Sequence, residues 1–487
     1  MAIGATCIWE VRTTGANTNG GGYTSGGVDK SQQDAAGWAL TGCTSVGAGN
    51  TVLNANAHAD MVGNVACCVS GTNFTISEFF EVLSVVAGVS ITFGTSHAGA
   101  SICTGVGANG VINIGGAFKI GGTLDDEWFD SIRAGNTVYI ASTAGGVTYT
   151  LGETVAMASS GTGPLPITVQ GYKDTRTTKP TGIDRPTIAC GANGFSSSQY
   201  NIWKYLIFTT THASGIKCEA TFNIFLECKV NSLTGYGFYD LYGYAFFISC
   251  EAICTGGTAI NFGSYSCGVN CYIHDSNAAI IGGGGGSISH SIIDTCVTGI
   301  SLVTANNLSV LNNTIYNCVK GISGAAPVSF PVINNIITGC LTGASWTIAE
   351  LINFWDFNCW NNTTDVTNVT KGPNDITGDP LLVSGLVSGT DGATGGTGLV
   401  FTAASAPFSG VTTGDCLLIK VGGTGATVGV YTISNVDSTS QITLATSAGA
   451  NKTGITYGIV KGTNFTLGEG SPCFDAGLQP SSLIGIS

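Results

Sequence analysis

Charged side chains are scarce in this chain of 487 residues. Asp, Glu, Lys and Arg make up 9% of it, against about 25% in an average soluble domain. Its 16 basic and 29 acidic residues leave a net charge of −13, which argues against a nucleic-acid partner, because such proteins present a basic face to the phosphates. With 43% hydrophobic residues, the chain is also too apolar for a disordered protein.

Proline and long apolar runs are rare as well. The 11 Pro show no Gly-X-Y period, which excludes collagen, and no run of about 18 apolar residues predicts a transmembrane helix. The opening MAIGATCIWEVR has no basic segment followed by an apolar core, so we expect no secretory signal and synthesis in a reducing cytoplasm. Most of the 18 Cys are then expected to be reduced thiols that pack as small hydrophobic residues.

What the chain does contain is a repeat. Cysteines recur at intervals of 21 or 22 residues in two series, Cys228, Cys250, Cys271 and Cys296, Cys318, Cys340. Three segments align at the same interval: HSIIDTCVTGI (290–300), NNTIYNCVKGI (312–322) and NNIITGCLTGA (334–344). Their Gly and β-branched residues disfavour helices. The repeat predicts a parallel β-solenoid in which each unit is one coil.

Stacked coils place like residues over like, about 4.8 Å apart. The segment NCYIHDSNAAI (270–280) fits the alignment with Ser276 in the Cys position. A second column then contains Asn270, His290, Asn312 and Asn334. We expect this column to form a hydrogen-bonded ladder in the interior of a turn.

The coil length and motif resemble the right-handed parallel β-helix of the pectate-lyase-like superfamily. Further segments that resemble its coils or its closing segment are AGNTVYIASTAGGVTYTLGETVAM (134–157), PLPITVQGYKD (164–174), RPTIACGANG (185–194), NIWKYLIFTTTHASGIKC (201–218), TGDPLLVSG (377–385) and NFTLGEGSPCFDAG (464–477). The resemblance implies an all-β, right-handed, single-stranded parallel β-helix. It does not imply one function, because this solenoid hosts lyases, hydrolases and non-enzymatic fibres.

Two inserts interrupt the solenoid. We predict an N-terminal arm with a short cap helix over 1–46, a small β module over 47–118, the β-helix over 119–385, a second small β module over 386–462 and a closing segment over 463–487. The sequences of the two modules are weakly similar, so we predict that they are related. A duplicated module favours docking over catalysis.

Arginine is the residue whose scarcity bears most on catalysis. The resemblance implies that a lyase of this superfamily would use a base, usually Arg, and acidic Ca²⁺ ligands to eliminate uronates. The chain has only Arg12, Arg133, Arg176 and Arg185, so none lies in the regular coils. The lyase motif has no match here, and no catalytic residue is carried over.

Glycoside hydrolysis requires two carboxylates, about 5–5.5 Å apart for retention or about 6.5–9.5 Å for inversion. The regular coils offer Asp240, Glu251, Asp275 and Asp294, alongside His274 and His290. The candidates are Asp275 and Asp294 with the two histidines, because the alignment stacks His274 above Asp294. The alternative is that both Asp are turn residues bonded to the backbone. The acidic run at 125–127 is expected to begin a helix, where acids complement the dipole.

Four cysteines, Cys250, Cys254, Cys267 and Cys271, have a spacing superficially like that of a zinc site. The coil period accounts for Cys250 and Cys271 without a metal. We therefore expect reduced thiols, no metal and no other cofactor.

Aromatic residues cluster at 236–247 and 346–360. They are expected in the core or in a subunit interface, with a sugar-stacking platform as the alternative. His58, His97 and His212 have no partner visible in the sequence and resemble surface residues.

The features together favour a structural virion protein of a bacteriophage: a tailspike, a fibre or a capsid-surface decoration without catalysis. The opening WEVRTTGANTNGGGY resembles that of β-helix proteins encoded by environmental phages. The expected partners are other virion proteins, further copies in a homotrimer and a host-surface polysaccharide, with no nucleic acid and no membrane insertion. The alternatives are a polysaccharide-degrading enzyme, either a lyase or a glycoside hydrolase, and a bacterial surface adhesin, which would need an export signal.

Overall fold

The computed structural model describes residues 3–302, 308–324, 330–347, 354–378, 380, 387–404, 408–413, 415–421, 426–427 and 429–460. Two compact units make up the chain: Met1–Asn358 with Asn362–Asp375, and Cys359–Asn361 with Ile376–Ser487. Within the described ranges the helices are one α-helix, Asp125–Ser131, and two 3-10 helices, Ala59–Met61 and Gly182–Asp184. The predicted all-β class is confirmed.

The first unit contains a β-helix built from three sheets, whose strands are parallel except for Gly22–Tyr23 at one edge. Sheet 1 contains Ile8–Val11, Gly22–Tyr23, Thr137–Ser142, Ile167–Lys173, Asn201–Lys204, Ile224–Leu226, Phe246–Ile248, Cys267–Val269, Ser287–Ser289, Ser309–Leu311, Pro331–Ile333 and Phe354–Asp356. Sheet 2 contains Thr148–Thr150, Thr187–Gly191, Ile207–Thr210, Lys229–Ser232, Glu251–Cys254, Tyr272–His274, Ile292–Asp294, Thr314–Tyr316 and Ile336–Thr338. Sheet 3 contains Val155–Ala156, Phe195–Ser197, Ile216–Cys218, Gly235–Asp240, Gly257–Asn261, Ala278–Ile281, Thr298–Leu302, Lys320–Gly324, Thr342–Trp346 and Thr364–Thr367.

Each regular coil contributes one short strand to each sheet. In the strand Tyr272–His274, Ile273 is buried between two half-buried neighbours, since side chains alternate along a strand. Ile273 pairs in register with Ala252 of the preceding coil and Ile293 of the next. This register stacks the β-branched residues of the repeat into a continuous apolar column.

The corners between sheets carry residues with a left-handed backbone. Asn270, His290, Asn312 and Asn334, with φ of 55°, 53°, 56° and 60°, form the corner that precedes sheet 2. Asn adopts this conformation more readily than most residues. The predicted interior position of this column is wrong, because its members are exposed or half-buried. Its coil-to-coil bonds do form, as between Asn334 Nδ2 and Asn312 Oδ1 at 2.6 Å.

The interior ladder lies one residue later. Asn313 Nδ2 donates to Asn335 Oδ1 at 3.1 Å, and Asn335 Nδ2 donates to Asn358 Oδ1 at 3.0 Å. Backbone bonds between coils show which residues take this position in the earlier coils: Cys228, Cys250, Cys271 and Ser291. A shift of one residue exchanges the inner and outer faces of a strand, which is why the neighbouring Asn column faces outwards.

The small module of the first unit is an antiparallel sheet of six strands. Its strands are Trp38–Cys43, Thr51–Leu53, Val65–Phe74, Phe79–Val86, Ser90–Phe93 and Cys103–Ile114. The first of them lies within the segment predicted to be an arm, and Ile8–Val11 pairs with Thr137–Ser142 in sheet 1. The predicted cap helix is wrong: residues 18–40 form strands and turns. The acidic run does begin the α-helix at Asp125.

The second unit contains a closed antiparallel barrel of Val387–Thr394, Val400–Thr402, Cys416–Val421, Gly429–Ser438, Gln441–Leu444 and Ile455–Val460. In the same unit Cys359–Asn361 pairs in parallel with Ile376–Thr377. If the strands of each module are numbered one to six along the chain, the two modules have the same pairings. Strand one pairs with six, six with three, three with four, four with five, and five with two. Strands one and two are also linked in each module. The link is the isolated bridge Thr44–Leu53 in the first module and an antiparallel pairing in the barrel. The predicted closing segment 463–487 lies outside the described residues.

Candidate functional site

The outward face of sheet 2 brings the charged residues of the coils together. Lys229, Glu251 and Tyr272 occupy one column of paired residues in successive coils. His274 belongs to the adjacent outward column, in which it pairs directly with Asp294. The sequence alignment placed this pair correctly.

Four of these residues form one hydrogen-bonded ion network. Lys229 Nζ donates to Glu251 Oε1 at 2.7 Å, and the same oxygen lies 3.3 Å from His274 Nε2. His274 Nδ1 lies 2.8 Å from Asp275 Oδ2. The imidazole also stacks on the Tyr272 ring, with 4.1 Å between ring centroids. His274 is therefore held on three sides.

The network keeps its members charged. Burial would raise the pKa of Glu251, but the hydrogen bond from His274 and the charge of Lys229 outweigh it and lower the pKa to about 2. Burial would lower the pKa of His274, yet Asp275 and Glu251 raise it above its ordinary value. With His274 protonated, two cations balance two carboxylates. Glu251 then holds no proton at neutral pH that it could donate to a leaving group.

The remaining hydrolase candidates lie differently. Asp294 is 8% exposed and accepts a hydrogen bond from Thr295 Oγ1 at 2.7 Å. Burial, with the charge of Asp294, raises the pKa of Tyr316 in the next coil. Asp275 is a corner residue with φ of 50°, and its carboxylate pairs with a side chain. His290 lies at a different corner, exposed, with its Nε2 3.5 Å from Asn312 Nδ2.

Two residues of this network, Lys229 and Glu251, were not among the site candidates chosen from the sequence. Their signal is the coil spacing, since 22 residues separate them and the register makes them neighbours. Glu251 is missed because its partner His274 lies diagonally, two residues beyond the residue with which Glu251 pairs in register.

The four cysteines of the zinc candidate do not share one face. Cys250 and Cys271 are interior and donate to the carbonyls of Phe225 and Phe247 at 3.3 Å. Cys254 is buried at the end of its strand in sheet 2, and Cys267 is half-buried in sheet 1. Burial raises the pKa of Cys271 to about 11 and that of Cys250 further, whereas zinc binds thiolates. Among the cysteines whose side chains are described, Cys359 alone is disulfide-bonded.

All four arginines are engaged in the first unit. Arg12 and Arg176 pair with the carboxylate of Glu10. Arg133 donates to the carbonyl of Asp130, and Arg185 donates to that of Glu227. These contacts tie loops to the first coils.

Over the strands Ile224–Leu226, Phe246–Ile248 and Cys267–Val269 the outward face of sheet 1 is apolar. Ile224, Phe246, Ile248 and Val269 alternate there with the buried residues of their strands. Phe246 is 36% exposed and Val269 is 38% exposed. The corner beside this face carries an aromatic column, Tyr200, Phe222, Tyr244 and Tyr265, whose ring centroids lie 4.9, 5.0 and 5.1 Å apart in succession. We call these residues together the sheet 1 face.

The aromatic segments of the sequence divide between core and surface. Phe225, Phe247 and Phe262 stack inside the coils, and Phe238 packs on Phe247. Trp346 and Trp355 are buried beyond the last regular coils. The expected core position is therefore correct for some of these aromatic residues, such as Phe247, whereas others, such as Phe246, lie on the sheet 1 face.

Three sheets that gain one parallel strand per coil, with a left-handed backbone at the corners between them, define the fold. The chain is a parallel β-helix. Pectate lyase Pel9A is 13% identical with a TM-score of 0.33, over 51% of this chain and 72% of that chain. The tailspike protein gp49 of Pseudomonas phage LKA1 is 12% identical with a TM-score of 0.22, over 88% and 82%. The Dettilon tailspike protein is 13% identical with a TM-score of 0.28, over 67% and 88%.

No family model matches the β-helix chain, and no curated protein matches it in sequence. The likenesses to solved structures therefore concern the fold. None of the helices in the described ranges has the length and hydrophobicity of a membrane span.

Proposed function

We propose that this chain is a structural virion protein of a bacteriophage, of the tailspike, fibre or capsid-surface type, which uses its β-helix for attachment or display. The observation that carries the proposal is the sheet 1 face. Its apolar outward residues and aromatic corner form a continuous surface over several coils. Surfaces of this kind in soluble proteins mark protein–protein contacts, and we assign this one to further copies of the chain in a homotrimer.

The charged groups support a role without catalysis. The sheet 2 network is internally neutralised, and its Glu251 carboxylate accepts bonds from two cations. Elimination would need a free base beside an acidic sugar, yet the arginines are engaged with the carboxylate of Glu10 or with backbone carbonyls. Ser301, Ser323 and Ser345 occupy one column of register partners on the outward side of sheet 3, and their hydroxyl groups offer a surface for a host polysaccharide.

The test measures the mass of the purified full chain in solution by light scattering. We expect a trimer, and Phe246→Asp is expected to yield monomers, because it places a charge in the centre of the sheet 1 face. Ser323→Asp, on the outward side of sheet 3, is the matched control and should remain a trimer. A wild-type monomer, or equal behaviour of both variants, would contradict the assignment of the interface.

Virion location is tested separately by quantitative mass spectrometry of purified particles of a phage that encodes the chain. We expect the chain at a fixed ratio to the capsid protein. The second candidate function, polysaccharide degradation, is favoured by the proximity of Glu251, His274 and Asp294. Absence from particles, together with new reducing ends or unsaturated uronates in polysaccharide digests, would favour that candidate instead.

A further inference from the structure

His97 lies among three carboxylates, not on the open surface as the sequence suggests. Its Nδ1 lies 3.2 Å from Glu78 Oε2, and its Nε2 lies 3.8 Å from Glu127 Oε2 and 4.0 Å from Asp130 Oδ2. The side chains of His97 and Glu78 are 18% and 17% exposed. Glu78 and His97 belong to loops of the antiparallel module, whereas Glu127 and Asp130 belong to the α-helix. The cluster therefore joins two elements of the first unit.

Two polar atoms of this cluster are buried without a hydrogen-bond partner. They are Glu78 Oε2 and His97 Nδ1, which lie close to each other but outside hydrogen-bond geometry. Buried polar atoms in folded proteins nearly always have a partner, and an exception calls for an explanation such as a bound ion. One atom each from Glu78, His97 and Glu127 lies within 4.8 Å of the others. Three donors at such separations can share one cation.

The charges of the cluster are unbalanced. Among the described residues, His97 is the only ion-pair partner of the three carboxylates. The nearest arginine, Arg133, directs its guanidinium to the carbonyl of Asp130 and to Ser159. Carboxylates that lie this close to one another repel. A divalent cation would remove this repulsion.

We propose that Glu78, His97 and Glu127 bind a divalent transition-metal ion, with Asp130 as a fourth ligand or as the acceptor of the imidazole N–H. One imidazole nitrogen with carboxylate oxygens is a donor set suited to Zn²⁺ or Mn²⁺, whereas Ca²⁺ and Mg²⁺ favour sites of oxygen alone. The carboxylate beside the imidazole also matches the second shell of histidine metal sites. The ion links the antiparallel module to the helix that packs beside the first coils.

The experiment titrates Zn²⁺, and separately Mn²⁺, into the full chain after removal of metals with a chelator, and follows binding by calorimetry. We expect one equivalent per chain and an increase of a few degrees in the unfolding midpoint. Ca²⁺ and Mg²⁺ at the same concentrations should raise the midpoint less. His97→Ala and Glu127→Gln should each weaken Zn²⁺ binding by at least about 10-fold.

The matched control is His58→Ala. His58 Nδ1 lies 3.3 Å from Asp60 Oδ2 on the same module, but both side chains are at least half exposed, and among the described residues they belong to no cluster of three possible ligands. Its removal should leave Zn²⁺ binding unchanged. Glu127 is 45% exposed, so Glu127→Gln is expected to fold and keeps the test valid if His97→Ala does not. Absence of binding at millimolar Zn²⁺, or binding that persists in Glu127→Gln, would overturn the proposal.

Discussion

The N-terminal end of the β-helix and its regular coils are stabilised by different chemistry. At the N-terminal end Glu10 is fully buried, and its carboxylate accepts bonds from Arg12 Nε at 3.0 Å, from Arg176 Nε at 2.7 Å and from the Tyr172 hydroxyl. Arg176 also lies over the Tyr139 ring, 5.0 Å from its centroid. In the regular coils the interior columns consist of neutral thiols, hydroxyls and amides, and the buried carboxylate of Asp240 accepts its hydrogen bonds from a hydroxyl and from backbone N–H groups.

The two regions differ because some polar contacts can recur in every coil and others cannot. A neutral amide such as Asn335 donates to one neighbour and accepts from another, so the same residue can recur in every coil. The buried carboxylate of Glu10 has cations placed individually beside it, because an unpaired buried charge is costly. The coils stack on neutral columns, and their buried Asp240 takes hydroxyl and N–H donors, which is consistent with the absence of arginine after Arg185.

The largest expected effect comes from removing the buried charge. Glu10→Gln removes the nearest anion of Arg12 and Arg176, whose other carboxylate partners, Asp34 and Asp29, lie 4.0 and 3.9 Å away. It should lower the free energy of unfolding by about 3–5 kcal/mol. Urea denaturation followed by circular dichroism measures it. The control is Lys217→Ala, which breaks the partly exposed pair with Glu219 and should cost less than about 1 kcal/mol. Equal costs would mean that the N-terminal end does not depend on buried charge.

A smaller effect is expected from the neutral ladder. Asn335→Ala leaves the buried backbone N–H of Asn313 and the amide of that residue without their acceptor, which should cost about 1–3 kcal/mol in urea denaturation. The matched control is Asn334→Gly, at the outward corner with φ of 60°, where glycine keeps the left-handed backbone; it should change stability by about 0.5 kcal/mol or less. If Asn334→Gly lowers the free energy of unfolding as much as Asn335→Ala does, the interior position is no more important for stability than the outward corner.

The two regions also differ in how far the sequence predicts them. The coils repeat, so the Cys spacing reveals the period, and the alignment places His274 against Asp294 correctly. The period leaves open which residue faces inwards, and for this reason the Asn ladder was predicted one residue away from Asn335. At the N-terminal end nothing repeats, and 166 residues separate Glu10 from Arg176.

The presence or absence of a repeat also explains how far each of the two sites could be predicted from the sequence. The sheet 2 network lies within the repeat, and only its diagonal contact between Glu251 and His274 was beyond a column alignment. The cluster around His97 joins loops and a helix that are distant in sequence. No local pattern predicts it, because each of its residues has an ordinary explanation by itself.

The smallest expected effect concerns the ion network on the outer face of the coils. The pKa of Glu251 falls from 4.5 to about 2, so its contribution to stability is present above pH 4.5 and is lost as the pH falls towards 2. The pKa of His274 rises above 6.5, so its contribution is present below pH 6.5 and is lost as the pH rises through the raised value. The network should therefore stabilise the protein most between these limits.

His274→Gln tests this window through unfolding midpoints measured across the pH range. The variant should lose less than about 1 kcal/mol, with the largest loss between pH 4.5 and 6.5 and a smaller loss in alkaline solution. His58→Gln, at an exposed pair, should differ little from the wild type at any pH. A loss for His274→Gln that is independent of pH would assign the role of this residue to its stacking on Tyr272. In that case the ion pairs on the outer face would contribute nothing to the stability of the coils, in contrast to the buried ion pairs of the N-terminal end.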